Sequence, residues 1–142
     1  MRFEVSRRVD ADPAAVWAAL TDVEQWPKWT SSMTSVRLLG EGPLRAGSRA
    51  VVKQPGLLAQ VWQVTEFTEG REFTWVARGP GVTTTGSHVL VPEGDGAVTV
   101  LLGLEQRGPF GAVIGLLLGT VTRRYLTMEA EGLKRAAEDA PY

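Results

Sequence analysis

Cysteine is absent from this chain of 142 residues, and histidine occurs once. The first absence removes disulfides, thiolate nucleophiles and sulfur-ligated zinc together; the second leaves little for any other transition-metal site. No metal, no cofactor and no catalytic constellation is therefore expected. An excess of positive charge is also missing, since 15 Lys and Arg stand against 16 Asp and Glu for a formal net charge of -1. Such a balance does not neutralise a run of phosphates or an anionic bilayer, so nucleic acid is not an expected partner. Long apolar runs are missing too. The most apolar stretch, Phe110 to Val121, is short of the ~20 residues a membrane span needs and is interrupted by Gly111, Gly115 and Gly119. It reads as a buried helix, with no integral membrane association. The N-terminus, Met1 to Arg8, alternates polar and apolar residues and lacks the apolar core of a signal peptide, which points to the cytoplasm. Nothing matches a phosphate loop or a nucleophile elbow, which argues against hydrolases, kinases and dehydrogenases. A cyclase is not excluded, because its cavity mainly folds a reactive chain and needs one or two polar groups.

Two helical blocks are present, with strands between them. Phe3, Val5 and Val9 outline a first strand, with an irregularity at Arg7-Arg8 that breaks strict alternation. Asp12 before Pro13 supplies an N-cap and a first-turn proline, and Val16, Trp17 and Leu20 share a face of the helix that follows. Pro27 ends or restarts that helix around Trp26 to Trp29. Strands are predicted at Ser35–Leu39, Ser48–Lys53, Gln60–Phe67, Arg71–Arg78, Thr83–Val91 and Ala97–Glu105. They are joined by short turns rich in glycine and proline, so neighbours pair antiparallel. Alternation places Trp62, Val64, Phe73, Trp75, Gly86, His88, Leu90, Val98, Val100, Leu102 and Leu104 on one inner face. Threonine-rich positions lie on the other. A long helix runs from Pro109 to Ala140, with Phe110, Ile114, Leu117, Val121, Tyr125 and Met128 as its inward stripe, widened by Leu118, Leu126 and Leu133. The chain reads as one α+β domain over residues 1–142: a seven-stranded antiparallel sheet curved around the long C-terminal helix, with two short helices after the first strand.

The succession of first strand, Asp-Ala-Asp-Pro-Ala-Ala-Val-Trp helix, Trp-Pro-Lys-Trp segment, Gly94-Asp-Gly96 hairpin and C-terminal Pro109-Phe-Gly…Arg123-Arg-Tyr-Leu helix resembles the START-like (SRPBCC) superfamily. In particular it resembles the polyketide cyclase/dehydrase-type bacterial members, over nearly the whole chain. The resemblance implies a helix-grip fold with a hydrophobic cavity between sheet and helix. In that superfamily such a cavity serves lipid carriers, hormone receptors, aromatase/cyclases and protein regulators, so the fold alone does not select among them.

The expected ligand-binding residues are Trp29, Met33, Trp62, Val64, Phe73, Trp75, His88, Leu90, Leu117, Val121 and Tyr125. His88 is the one side chain that titrates naturally near neutrality. The sequence shows no carboxylate partner for it, which favours a partly buried histidine satisfied by a backbone carbonyl or a threonine hydroxyl over a general base, with ligand contact between them. Trp62 and Trp75 suit a planar or polycyclic ligand and equally suit plain core filling. Trp17 reads as core, and Trp26 and Trp29 read as packing the short helices on the sheet rim. Tyr125 is a second polar anchor or a residue of the cavity mouth. Gly111, Gly115 and Gly119 read first as a close-packing stripe. Asp22, Glu24, Glu66 and Glu69 read as solvated or capping groups, and Arg123, Arg124, Lys134 and Arg135 as the wet face of the helix. The expected function is binding or carrying a small hydrophobic molecule, lipid-like or polycyclic. The alternative is a polyketide cyclase/aromatase-type enzyme in the same cavity, and a weaker one is a ligand-free interaction domain.

Overall fold

A computed structural model describes residues 1–139, apart from the side chains of Ala112, Ile114, Gly115 and Leu116. The chain runs β1 (Arg2–Val9), α1 (Pro13–Thr21), a 3₁₀ segment (Val23–Lys28), β2 (Ser35–Leu38), β3 (Arg49–Lys53), β4 (Gln60–Thr68), β5 (Glu72–Gly79), β6 (Val82–Pro92), β7 (Val98–Arg107) and α2 (Gly111–Glu138). The expected end of the last helix at Ala140 lies outside the described residues. All seven strands form one antiparallel sheet in the order β1-β7-β6-β5-β4-β3-β2, the helix-grip arrangement. No helix among the described residues is long and apolar enough to cross a membrane.

Cross-strand register builds the inner face in rows. Phe67, Phe73, His88, Leu102 and Val5 form one, Val64, Trp75, Gly86, Leu104 and Phe3 the next, and Trp62, Ala77, Thr84 and Gln106 a third. Between Val64 and Glu66 the register shifts by a β-bulge at Thr65, which brings Phe67 back to the inside against Trp17, ring centroids 5.6 Å apart. β1 is continuous, contrary to the expected irregularity at Arg7-Arg8. Arg7 lies on the inner face beside Val100, and its Nε donates to Glu131 of α2 at 2.6 Å, so a charged residue keeps the alternation. Asp12 caps α1 by accepting from the Ala14 N–H at 2.9 Å. Trp26 is not at the rim. It is fully buried against Trp75 and His88, and its Nε1 donates to the Leu20 carbonyl.

α2 starts where two turns meet, the Phe110 N–H donating to the Gly81 carbonyl at 2.9 Å. Gly81 and Gly108 both have positive φ, and a Cβ on Gly108 would lie 2.6 Å from the Gly81 oxygen, so only glycine allows this approach. The helix packs on β1 and β7, with lighter contact to β6. Its buried face is Leu126, Ala130, Leu133 and Ala137, with Glu129 among them. The expected stripe is therefore rotated. Leu117 is 75% exposed, Phe110 and Val121 are exposed, Tyr125 and Met128 are half-buried, and the Ile114 side chain lies outside the described residues. Leu126 and Leu133, expected at the edge of the stripe, are at the centre of the docked side, and small residues between them make the close contacts.

Gly132 gives the tightest point of that docking, since a Cβ there would collide with the Trp29 carbonyl oxygen and come within 2.9 Å of its ring. At Gly119 a Cβ would meet the Phe3 ring at 3.5 Å, an ordinary contact. Alanine removes the helix penalty of glycine at both sites, ~1 kcal/mol. Gly119→Ala is expected to stabilise by ~0.5–1 kcal/mol, and Gly132→Ala to destabilise by ~1–3 kcal/mol through overpacking. Urea unfolding of the two variants checks the opposite signs.

Candidate functional site

Because α2 leans towards β1 and β7, a cavity of about 400 Å³ remains between its other flank and the sheet. Trp62, Leu104, Leu118 and Leu126 provide apolar walls, and the β3–β4 loop, residues 54–59, forms one lip. That loop is tied to the helix by the Tyr125 hydroxyl, which donates to the Pro55 carbonyl at 2.6 Å. The Lys53 ammonium donates to the Gln54 and Leu57 carbonyls and braces the same turn. At its tip Leu58 is 88% exposed.

The lining is not purely apolar. Thr84 and Gln106, cross-strand partners on β6 and β7, join Gln54, Gln60, Thr122 and Glu129 around the space. Gln106 is 8% exposed, and its Oε1 is enclosed without a hydrogen-bond partner. Glu129 is 9% exposed, and burial raises its carboxyl pKa to about 8, with the Ser32 side chain acting in the opposite direction. At neutral pH it is mainly a protonated acid.

A second void of about 50 Å³ lies deeper, bounded by Trp26, Met33, Trp62, Trp75, His88, Leu126 and Glu129. His88 stacks on Phe73 with centroids 4.1 Å apart and planes at 14°, and its Nδ1 is 3.1 Å from the Phe73 carbonyl oxygen. That contact makes Nδ1 the protonated nitrogen and leaves Nε2 as an acceptor. Burial pushes the imidazole pKa down to about 4, against the smaller opposing effect of the carbonyl. Glu129 and His88 thus border one void with the proton on the carboxyl and the ring neutral. Opposite Trp75 stands Gly86, where a Cβ would meet the indole at 3.1 Å, so the missing side chain seats the ring.

Of the residues expected to bind a ligand, Trp62, Val121 and Tyr125 border the larger cavity, and Met33, Trp62, Trp75 and His88 the smaller void. Val64, Phe73 and Leu90 are inner-face residues packed within the core, and Trp29 packs on Trp26. Leu117 corrects the expected inward position, because it points to solvent on the far side of the helix. Glu69 is also more than a solvated group, for it accepts from Trp17 Nε1 at 2.9 Å. Sequence reasoning passed over Glu129, Gln106 and Thr84. Their signal was present: Glu129 falls on the Leu126, Ala130, Leu133 face at helical spacing, and Thr84 and Gln106 continue the inward alternation of β6 and β7.

The family model described as polyketide cyclase / dehydrase and lipid transport matches residues 1–138. Solved structures with the same fold include TTHA0849 from Thermus thermophilus, at 18% identity and TM-score 0.77 over 100% of both chains. The Zhui aromatase/cyclase from Streptomyces sp. R1128 has 15% identity and TM-score 0.78, over 97% of this chain and 93% of that one. The hypothetical protein jhp0584 from Helicobacter pylori has 15% identity and TM-score 0.80, over 96% and 86%. No match is found among curated proteins.

The two displaced pKa values make stability depend on pH with opposite slopes. For Glu129 the folded value lies above the ordinary 4.5, so its contribution is full below 4.5 and is lost as pH rises towards about 8. For His88 the folded value lies below the ordinary 6.5, so its contribution is full above 6.5 and is lost as pH falls towards about 4. The effects oppose between about 4.5 and 6.5, and above 6.5 Glu129 acts alone. Stability is expected to fall by roughly 1 kcal/mol from pH 6.5 to 8, at ~1.4 kcal/mol per proton and pH unit with the folded Glu129 half ionised by pH 8. Denaturant titrations of Glu129→Gln should lose that decline; an unchanged slope contradicts the buried acid.

Proposed function

This chain belongs to the polyketide cyclase / dehydrase and lipid transport family, and from that premise we propose that it is a single-domain, cytoplasmic carrier of a small hydrophobic molecule, lipid-like or polycyclic. The observation that supports this reading is the cavity of about 400 Å³ beneath α2, within the range of small-molecule sites and walled mainly by apolar side chains. Transfer of an apolar body from water into such a space is favoured by ~25 cal/mol per Å² of apolar surface removed from water. The few polar groups then orient rather than drive binding. The tyrosine-tethered loop at the lip offers a small movable element for entry, since one hydrogen bond links it to the helix.

A second reading, a cyclase-type enzyme in the same space, is favoured by one observation. Glu129 and His88 border a common void with pKa values displaced in opposite directions, the pattern that separates an acid from a base. Against it, the Phe73 contact fixes the ring, and the His88 side lies in the deeper 50 Å³ void instead of the larger cavity. The ligand-free interaction reading has no comparable support.

Tryptophan at two helix positions tests the carrier reading. Val121 borders the cavity and Leu117 does not. With the neutral fluorescent probe phenylnaphthylamine, Val121→Trp is expected to weaken binding about tenfold or more, ~1.4 kcal/mol, and Leu117→Trp to leave it within about twofold of the parent. Filling an empty space costs less than the ~1–3 kcal/mol of overpacking a full one, so both variants should melt close to the parent. Equal binding by both, or no binding by the parent, would overturn the reading.

A further inference from the structure

We propose that the mouth of the cavity docks on the surface of an anionic lipid bilayer, with Leu58 of the β3–β4 loop and Val113, Leu117 and Val121 of α2 set among the headgroups. The inference rests on the carrier reading and deepens it, naming the surface from which the carried molecule enters. Eight large apolar side chains are exposed among the described residues, and five of them, the four named and Phe110, belong to this loop and the first half of α2. Leu58 and Val121 border the cavity as well, at 88% and 37% exposure. Val121, Leu117 and Val113, about one helical turn apart, form a row that leads away from the opening on the water side of α2. Packing on the sheet does not use this row, because the docked side is that of Leu126, Ala130 and Leu133. An apolar row left in water beside an opening marks a surface with a partner.

The placement of charge points to lipid as that partner. Residues 54–61 and 108–122 contain no charged side chain. Bases flank them, Lys53 before the loop and Arg123 and Arg124 after the helical segment. Arg124 is exposed and continues the apolar row, at i+3 from Val121 and i+7 from Leu117. Arg107, at the other flank, is already paired with Glu105. Following these segments, the first acidic residues are Glu66 and Glu129, the second of them buried. The net charge of -1 over the whole chain thus conceals a face that is apolar at its centre and basic at its edge. An interfacial segment has this pattern, since its apolar side chains enter at headgroup depth while Lys and Arg meet anionic lipid. A second copy of the chain would bring the same bases and no acid of its own to this face, so self-pairing gains nothing from the basic edge. A bilayer satisfies both the apolar centre and the edge, and it is also the phase in which an apolar cargo dissolves.

Sedimentation of the intact chain with sucrose-loaded vesicles tests this, the vesicles being phosphatidylcholine alone or with about a quarter phosphatidylglycerol. The parent is expected to bind the mixed vesicles at least about fivefold tighter than phosphatidylcholine and to lose that difference at high salt. Leu58→Glu and Leu117→Glu should each weaken binding about tenfold or more, and Arg124→Glu about fivefold on the mixed vesicles alone. Val91→Glu, equally a change of an exposed apolar residue but at the opposite end of β6 from α2, should bind as the parent does. All four side chains are already in water, so the variants should melt with the parent. In vesicle-free solution Leu117→Glu should hold phenylnaphthylamine within about twofold of the parent, which separates docking from carrying. No vesicle binding by the parent, equal binding to both compositions, or unchanged binding by Leu58→Glu and Leu117→Glu overturns the docking surface and leaves the carrier reading standing. A parent that is dimeric in solution and becomes monomeric in Leu117→Glu also overturns it, since a second copy then covers the face. Failure of the parent to bind phenylnaphthylamine, with vesicle binding intact, overturns the carrier reading instead.

Discussion

The close approach of α2 at Gly132 to the Trp29 carbonyl sets the height at which the long helix can lie over the sheet. Ala130 and Ala137 keep the same half of the helix low, and Leu133 fills the space between them and the core. Polar ties hold this end in place: Arg7 to Glu131, Lys134 to the Arg8 carbonyl, and the Asp10 N–H to Glu138. A 28-residue helix spans about 42 Å at ~1.5 Å per residue, so pinning its C-terminal half against β1 constrains where the other half passes, where Gly119 and Arg123 lie against Phe3. The opening between that half and β4 follows from the geometry of the pinned end. No residue of the cavity itself has to create it.

Glu129 sits at the junction of the two halves, which accounts for its state. The turn that carries it also carries Leu126 and Ala130 into the core, so its carboxyl loses water without gaining a cation. Arg7 is occupied by Glu131, two residues on and so nearly opposite Glu129 around the helix. His88 is neutral for a parallel reason, enclosed by Trp26, Phe73 and Trp75 with a carbonyl as its one anchor. Two groups that would attract each other if charged are thus both kept uncharged, because the surroundings that bring them together also exclude the water that charging needs.

Strand positions were legible to within a residue or two, since glycine and proline turns bound each strand and period-two alternation needs no tertiary knowledge. The inner-face rows followed from the same alternation. The rotation of α2 was not legible from its largest residues. Leu117 and Val121 drew the centre of the stripe to one side; Leu126 and Leu133, expected at its edge, are docked, and Gly132, Ala130 and Ala137 complete that side by letting backbones approach. Arg7 was read as a defect because its partner, Glu131, is 124 residues away in sequence. The cavity's polar residues were overlooked for a related reason: a glutamate on a helix with many charges looks solvated until the helix is docked. The order of elements and the resemblance to a family supplied the expectation of a cavity, and residue patterns reached part of its lining, Trp62, Val121 and Tyr125, but not its polar side.

Four of the five tryptophans stand in an unbroken series. Trp29 is 5.9 Å from Trp26, Trp26 is 5.3 Å from Trp75, and Trp75 is 5.6 Å from Trp62, centroid to centroid. At such separations excitation passes between indoles faster than it is emitted, so the four behave as one antenna that begins at the helix junction and ends at the cavity wall. A quencher touching Trp62 alone would drain light absorbed by all of them, and a shift in emission colour would report the reddest member of the series, wherever the disturbance began. The intrinsic fluorescence of this protein is therefore a property of the series as a whole, not a sum of separately placed reporters.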